Sequence, residues 1–321
     1  MHGVSSASHG PSTTDCSARI CGLLNEPMAD ITQQPITASG TFTLAAGGAD
    51  PLTVRRLGFG AMRITGAGIW GDPPDHDTAI AVLRRAVELG VDFIDTADAY
   101  GPDVSEDLIR EALHPYDHVI IATKGGLTRQ GPDQWEPVGR ASYLRQCVHM
   151  SLRRLGLDRI DLWQLHRIDD RTPREEQFGE IAAMQKEGLI RHVGLSEVTV
   201  ADVEEASTYF DVVSVQNLYN VGDRSAEELL RHSEAHGIGF IPWFPLGNRA
   251  LLGSDSPVAA VASRIGATPG QVALAWLLQH SPVALPIPGT GSLAHLDENC
   301  AGALVTLDAE TMTELDRLAT G

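Results

Sequence analysis

The stretch "DHDTAIAVLRRAVELGVDFIDTADAYG", residues 75–101, decides how the chain folds. From Asp75 to Leu89 apolar side chains recur with helical periodicity, and Gly90 stands where a helix C-terminus favours a residue that accepts positive φ. "VDFIDTA" (91–97) follows as a short, largely unalternating apolar run, as expected of a strand covered on both faces. The chain then turns polar through Asp95, Asp98 and Tyr100 before Gly101. A helix that stops at glycine and hands over to a buried strand is the repeat of an α/β protein.

The same alternation extends in both directions. Strand-like runs occur at "RLGFGAM" (56–62), "HVIIATK" (118–124), "IDLWQLH" (160–166), "RHVGLSE" (191–197), "DVVSVQN" (211–217), "GFIPWFP" (239–245) and "PVALPIP" (282–288). The helical segments Ser142–Leu155, Arg174–Glu187 and Ala226–His236 run into Gly156, Gly188 and Gly237. Eight such units predict an α/β fold closed as a (β/α)8 TIM barrel, with an open doubly wound sheet as the alternative. "FTLAAGGADPLTV" (42–54) reads as an N-terminal β-hairpin that plugs the barrel bottom. The expected division is a disordered leader over 1–36 and a single barrel domain over 37–321.

Of 321 residues, 43% are hydrophobic and 21% charged, which suits a soluble globular chain with a large core. The formal net charge of −18 repels nucleic acid and anionic membrane surfaces, so neither is an expected partner. No run of about 18 apolar residues is present to span a membrane. Residues 1–30 lack the basic start and apolar run of a secretory signal, and read as a leader whose Met28 offers an alternative start. Cys16, Cys21, Cys147 and Cys300 show no C-x-x-C spacing, so no metal is expected and a reducing cytoplasm fits best.

Two motifs point elsewhere and are set aside. "GAGIWG" (66–71) has dinucleotide-fingerprint spacing, but Asp72, Pro73 and Pro74 follow, so its third glycine does not open a helix. It reads as a flexible loop beside the site. "HSEAH" (232–236) places His232 and His236 one helical turn apart, without the H-E-x-x-H pattern and on a helix outside the barrel.

In a (β/α)8 barrel, chemistry collects at the C-terminal ends of the strands. Those ends carry Asp95 and Tyr100, then Lys124, His166, Ser196 with Glu197, Gln216 with Asn217, and Trp243 with Phe244. Each has an ordinary structural explanation alone: Asp95 as a turn cap, Lys124 as a surface lysine, His166 as a hydrogen-bonded core histidine. Together they suggest an Asp95–Lys124 pair that sets a cation beside Tyr100. A phenol has a reference pKa of about 10, and a neighbouring cation is expected to favour phenolate and lower it.

On these residues the chain resembles the aldo-keto reductases over about residues 42–318. "FIDTADAYG" (93–101) resembles the family's Asp-x4-Tyr motif, "IATKGG" (121–126) carries its strand-three lysine, and "LWQLHR" (162–167) its strand-four histidine. The resemblance implies catalytic roles for Asp95, Tyr100, Lys124 and His166 in NAD(P)H-dependent, reversible reduction of a small aldehyde or ketone to an alcohol. Tyr100 would protonate the carbonyl oxygen, Lys124 and Asp95 would tune it, and His166 would orient the carbonyl.

The resemblance also implies cofactor contacts: Ser196 and Gln216 on the nicotinamide carboxamide, Trp243 stacked on its ring, and Leu246 and Gly247 along the pyrophosphate. Gly289, Thr290, Ser292, His295, Glu298 and Asn299 would form the nucleotide end. Two departures stand out. Glu197 replaces the usual Asn and cannot donate a hydrogen bond while ionised. Gly289 and His295 replace the Lys and Arg that many members set on the 2′-phosphate of NADP, leaving Thr290, Ser292 and a loop arginine, Arg63 or Arg249. NADPH is the expected cofactor, NADH the alternative, with weakened discrimination between them.

Phe59, Trp70, Trp135 and Phe244 suggest an apolar, partly aromatic substrate pocket. The chain is most similar to bacterial reductases of aldehydes and ketones, including a branch acting on pyridoxal-like aldehydes. Two other readings are a Schiff-base aldolase with Lys124 as nucleophile and a nucleotide-binding regulatory subunit with little turnover.

Overall fold

The computed structural model describes residue 3, residues 34–247 and residues 249–318, with only the backbone of residues 249 and 250. The expected leader, with Cys16, Cys21 and Met28, falls outside the described residues apart from residues 3 and 34–36, as does the Arg249 side chain. All elements below lie within the unit Ile31–Gly321.

After a 3-10 turn at Pro35–Ser39, β1 (Thr41–Leu44) and β2 (Leu52–Arg55) form an antiparallel hairpin. There follow β3 (Phe59–Gly60), α1 (His76–Glu88), β4 (Phe93–Asp95), α2 (Val104–Leu113) and β5 (Ile120–Gly125). A small antiparallel pair, β6 (Leu127–Gly131) and β7 (Gln134–Pro137), precedes α3 (Ala141–Leu155) and β8 (Ile160–Leu165). Next come α4 (Arg174–Lys186), β9 (Ile190–Ser196), α5 (Val200–Ala206), β10 (Val212–Leu218), α6 (Glu227–His236) and β11 (Gly239–Trp243). Helices α7 (Arg249–Leu252), α8 (Pro257–Ile265), α9 (Pro269–His280), α10 (Leu293–Ala301) and α11 (Ala309–Asp316) complete the order.

Seven strands pair in parallel in the order β3-β4-β5-β8-β9-β10-β11. Residues 283–288 take the eighth place without forming a regular strand. Phe240 of β11 donates to Val283 O at 2.9 Å and accepts from Leu285 N at 2.7 Å. On the opposite side Gly58 N and Gly60 N donate to Pro286 O and Pro288 O, at 2.9 and 3.4 Å. The segment thereby joins β11 to β3 and closes the (β/α)8 barrel. The full strand expected over 282–288 does not form, because Pro282, Pro286 and Pro288 have no N–H to complete a ladder. The first two expected strands also shrink, to the short β3 and β4.

The closing seam is tight. A Cβ on Gly60 would stand 2.6 Å from Ile287 O, and one on Gly289 would stand 2.4 Å from Gly60 O. Glycine at 289 is therefore a packing requirement of this barrel.

Leu44, Leu52 and Val54 of the hairpin pack against Phe93, Ala122, Leu162, Val213, Ile241, Leu285 and Ile287. These supply an apolar layer inside the barrel, which the hairpin plugs from below. Two further apolar clusters fill the space between the sheet and its helices. Caps sharpen the helices: the Asp75 carboxylate accepts from Thr78 N, and Gly156 and Gly237, at φ +70° and +67°, close α3 and α6.

Candidate active site

Side chains alternate across a strand, so two residues along a barrel strand lead from one interior layer to the next. Phe93, Ala122 and Leu162 lie in the apolar layer, and two positions further stand Asp95, Lys124 and Gln164. Ser196 and Gln216 carry this upper layer onto β9 and β10, and all five residues are buried.

Lys124 Nζ forms an ion pair with Asp95 Oδ1, the two side chains being 0% and 2% exposed. It also donates to Thr96 O at 2.9 Å and to the Tyr100 hydroxyl at 3.4 Å. The three protons of the ammonium thus have three acceptors. Asp95 Oδ2 accepts from the amides of Gln164 and Gln216, each at 2.9 Å. His166 meets the Tyr100 ring edge-to-face at 5.8 Å, and Trp135 stands 6.3 Å from both rings.

Burial pushes the Tyr100 phenol up, Lys124 pulls it down, Asp95 raises it again, and the net direction is upward. The expected net lowering by Lys124 is not found, because desolvation of a buried phenol outweighs the cation. Burial draws the Lys124 ammonium down, but Asp95 and Tyr100 overcompensate and keep it charged. His166 is held well below the usual histidine range by burial, then by Lys124, Arg167 and Arg129. Its ring is therefore neutral, and Nδ1 has no hydrogen-bond partner among the described residues.

A cleft of about 1000 Å³ opens over this layer. Its wall runs from Trp135 past Asp95, Tyr100 and His166 to Ser196, Gln216 and Trp243, then along Phe244, Leu246 and Gly247 to Gly289. Lys124 stands behind it, fully buried. Thr290, Ser292, His295, Glu298 and Asn299 lie beyond the lining, the first three around the start of α10 and the last two in its second half. There the Ser292 hydroxyl caps the helix by accepting from His295 N at 3.4 Å, and the Glu298 carboxylate accepts from the Thr268 hydroxyl at 2.6 Å.

Trp70 does not line the cleft as expected; it is 38% exposed, 5.6 Å from the Arg129 guanidinium. Phe59 is buried in the core between sheet and helices. Glu197, at φ +55°, accepts from Leu218 N at 2.9 Å and from the Trp243 indole N–H, so it holds the indole at the cleft wall.

Sequence reading passed over Arg167, although it follows His166 directly. Its guanidinium lines the cleft and donates to Ser196 Oγ at 2.9 Å and to His166 O at 2.7 Å. Gln164 and Arg129 were likewise unsignalled, because their partners lie on other strands and loops. Arg63 lines the cleft beside Gly289, its Cγ 3.7 Å from where a Cβ of that glycine would stand.

His232 and His236 stack on each other at 4.1 Å. Among the described residues no group of three or more His, Cys, Asp or Glu is arranged to hold a metal, and no helix is long and apolar enough to cross a membrane.

Comparison with known proteins places these features in context. The model of the aldo/keto reductase family matches residues 56–320. An uncharacterized oxidoreductase of Schizosaccharomyces pombe is 57% identical over 265 residues, covering 83% of this chain and 87% of that one. Pyridoxine 4-dehydrogenase of Escherichia coli is 44% identical over 289 residues, covering 88% and 99%. Among solved structures, an aldo-keto reductase of Klebsiella pneumoniae in complex with NADPH is 26% identical with a TM-score of 0.71, covering 83% of this chain and 91% of its own.

Proposed function

The chain belongs to the aldo/keto reductase family of oxidoreductases, and from that premise we propose that it reduces an aldehyde with NADPH and oxidises the alcohol in reverse. One observation carries the reading: the Tyr100 hydroxyl is held against the Lys124 ammonium at the barrel mouth, beside a neutral His166.

The cleft has room for a dinucleotide, and its residues fit one. Ser196 and Gln216 line it together with Trp243 and would hold the nicotinamide end, while Leu246, Gly247 and Gly289 continue the same wall towards the nucleotide end. Bound NADPH supplies the hydride that the carbonyl carbon receives. As charge develops on the carbonyl oxygen, Tyr100 gives up its proton to it, and Lys124 stabilises the phenolate that remains. Asp95 keeps Lys124 charged. His166, neutral, donates a ring N–H to the carbonyl oxygen and fixes its direction.

The alcohol–aldehyde pair of pyridoxine is the first substrate to test, on the strength of the Escherichia coli relative. Trp135 and Phe244 line the cleft and supply aromatic surface against which a flat ring could pack. The reading takes 37–321 as one catalytic domain behind a leader, working in the cytoplasm. An aldolase role is disfavoured, since a nucleophilic amine must be free and neutral, whereas Lys124 is charged and fully hydrogen-bonded. The test follows reduced-nucleotide consumption on adding pyridoxal. Tyr100→Phe should abolish turnover while nucleotide still binds, and a fully active variant refutes the mechanism.

A further inference from the structure

We propose that Arg129 is a specificity-determining positioning residue, which staples three loops into the wall that receives the carbonyl substrate. The proposal rests on the reductase reading above and concerns the shape of that same site.

The guanidinium has five N–H groups, and each finds a backbone carbonyl. Nη1 donates to Ile69 O at 2.7 Å and Ala99 O at 2.8 Å. Nη2 donates to Gly68 O at 2.9 Å and Gly131 O at 3.3 Å, and Nε to Gln134 O at 3.0 Å. These carbonyls come from the glycine-rich 66–71 loop, from the residue just before Tyr100, and from the β6–β7 hairpin. Arg129 forms no ion pair with a carboxylate among the described residues. Its plane instead packs against Trp135, 3.6 Å from the ring centroid.

The stapled segments make one side of the cleft. Ile69, Tyr100, Leu127 and Trp135 all line it, while Arg129 itself does not. Trp135 is set edge-on to Tyr100 and His166, so its position fixes how much space remains beside the proton donor. The first loop is also tied to the Tyr100 turn by Gly101 N donating to Ile69 O at 3.3 Å. Backbone bonds also hold the loop, from Gly66 N to Gly71 O, Gly71 N to Gly101 O and Asp133 N to Gly68 O, but Arg129 is the one side chain that donates to the loop, the Tyr100 turn and the hairpin together among the described residues.

Lysine cannot replace this arrangement, having three donors and no plane to lay on the indole. R129K and R129M should therefore behave alike. Their KM for an aromatic aldehyde should rise about tenfold or more relative to that for a small aliphatic aldehyde, with the NADPH Kd within about threefold of wild type. Hydrogen exchange at residues 66–71 and 99–101 should be faster in both variants, a readout independent of turnover. An R129K indistinguishable from wild type, a parallel rise in KM and NADPH Kd, or unchanged exchange overturns the staple. Wild-type enzyme that turns over no carbonyl overturns the reductase reading instead, and the exchange measurement still decides the staple.

Discussion

The Lys124 ammonium lies 3.4 Å from the Tyr100 hydroxyl, yet the phenol is shifted upward from its ordinary value. A group raised in this way stays protonated across the neutral range. Carbonyl reduction, which needs the phenol, should hold level from about pH 6 to 9, and alcohol oxidation, which needs phenolate, should climb with pH. Lys124→Met removes the largest downward influence and should lower kcat in both directions by about a hundredfold or more. Profiles of kcat against pH check this, and a reduction rate already falling below about pH 8 contradicts it.

Asp95 is the sole carboxylate paired with the buried Lys124 among the described residues, and it also accepts from two glutamines. Asp95→Asn would strand a buried cation, at a cost of about 3–5 kcal/mol. Urea denaturation of the variant should show that loss, and a stability equal to wild type speaks against a charged pair.

Asp98 has a second consequence for pH. Burial, followed by the nearby Glu106, pushes its carboxyl up to about 8, with Cys147, Arg154 and Asp103 also facing it. The folded pKa exceeds the unfolded value of about 3.9, so folding retains a proton that the unfolded chain releases. That stabilisation is fully present below about pH 4 and is lost as pH rises to about 8. Asp98→Asn should flatten the decline of Tm between pH 5 and 8 and gain at least about 1 kcal/mol at pH 8. An unchanged slope excludes Asp98 as its source.

Gly289 faces the Gly60 carbonyl across the closing seam. Gly289→Ala should therefore destabilise by about 1–3 kcal/mol, read as a lower Tm. Gly289→Lys should suffer the same loss rather than simply regain a phosphate-binding cation. Equal stability of Gly289→Ala and wild type would show that the seam can relax.

Absence of cations at 289 leaves Arg63 as the basic side chain beside that glycine in the cleft. NADPH and NADH should then differ in Kd by well under about a thousandfold, or roughly 4 kcal/mol. Titration with each nucleotide tests this, and a larger preference for NADPH sinks it.

Local rules alone placed most of the scaffold. Glycines after helices, unalternating strands and the hairpin before them specify the barrel, because helix capping and burial on both faces of a strand show within a few residues. Asp95 and Lys124 stand at the ends of successive strand-like runs, so the ion pair was legible in the order of strand ends. Tertiary structure decided the rest. Three prolines turned the eighth strand into a seam without a regular ladder, held by bonds to β11 and β3. The upward shift of Tyr100 is a sum over everything that excludes water from it, which no neighbour in sequence reports. Glu197 meets Trp243, and Arg129 reaches Gly68 and Ile69, across distant parts of the chain. Such contacts exist only after the barrel has closed, when donors with no local partner must find their acceptors in space.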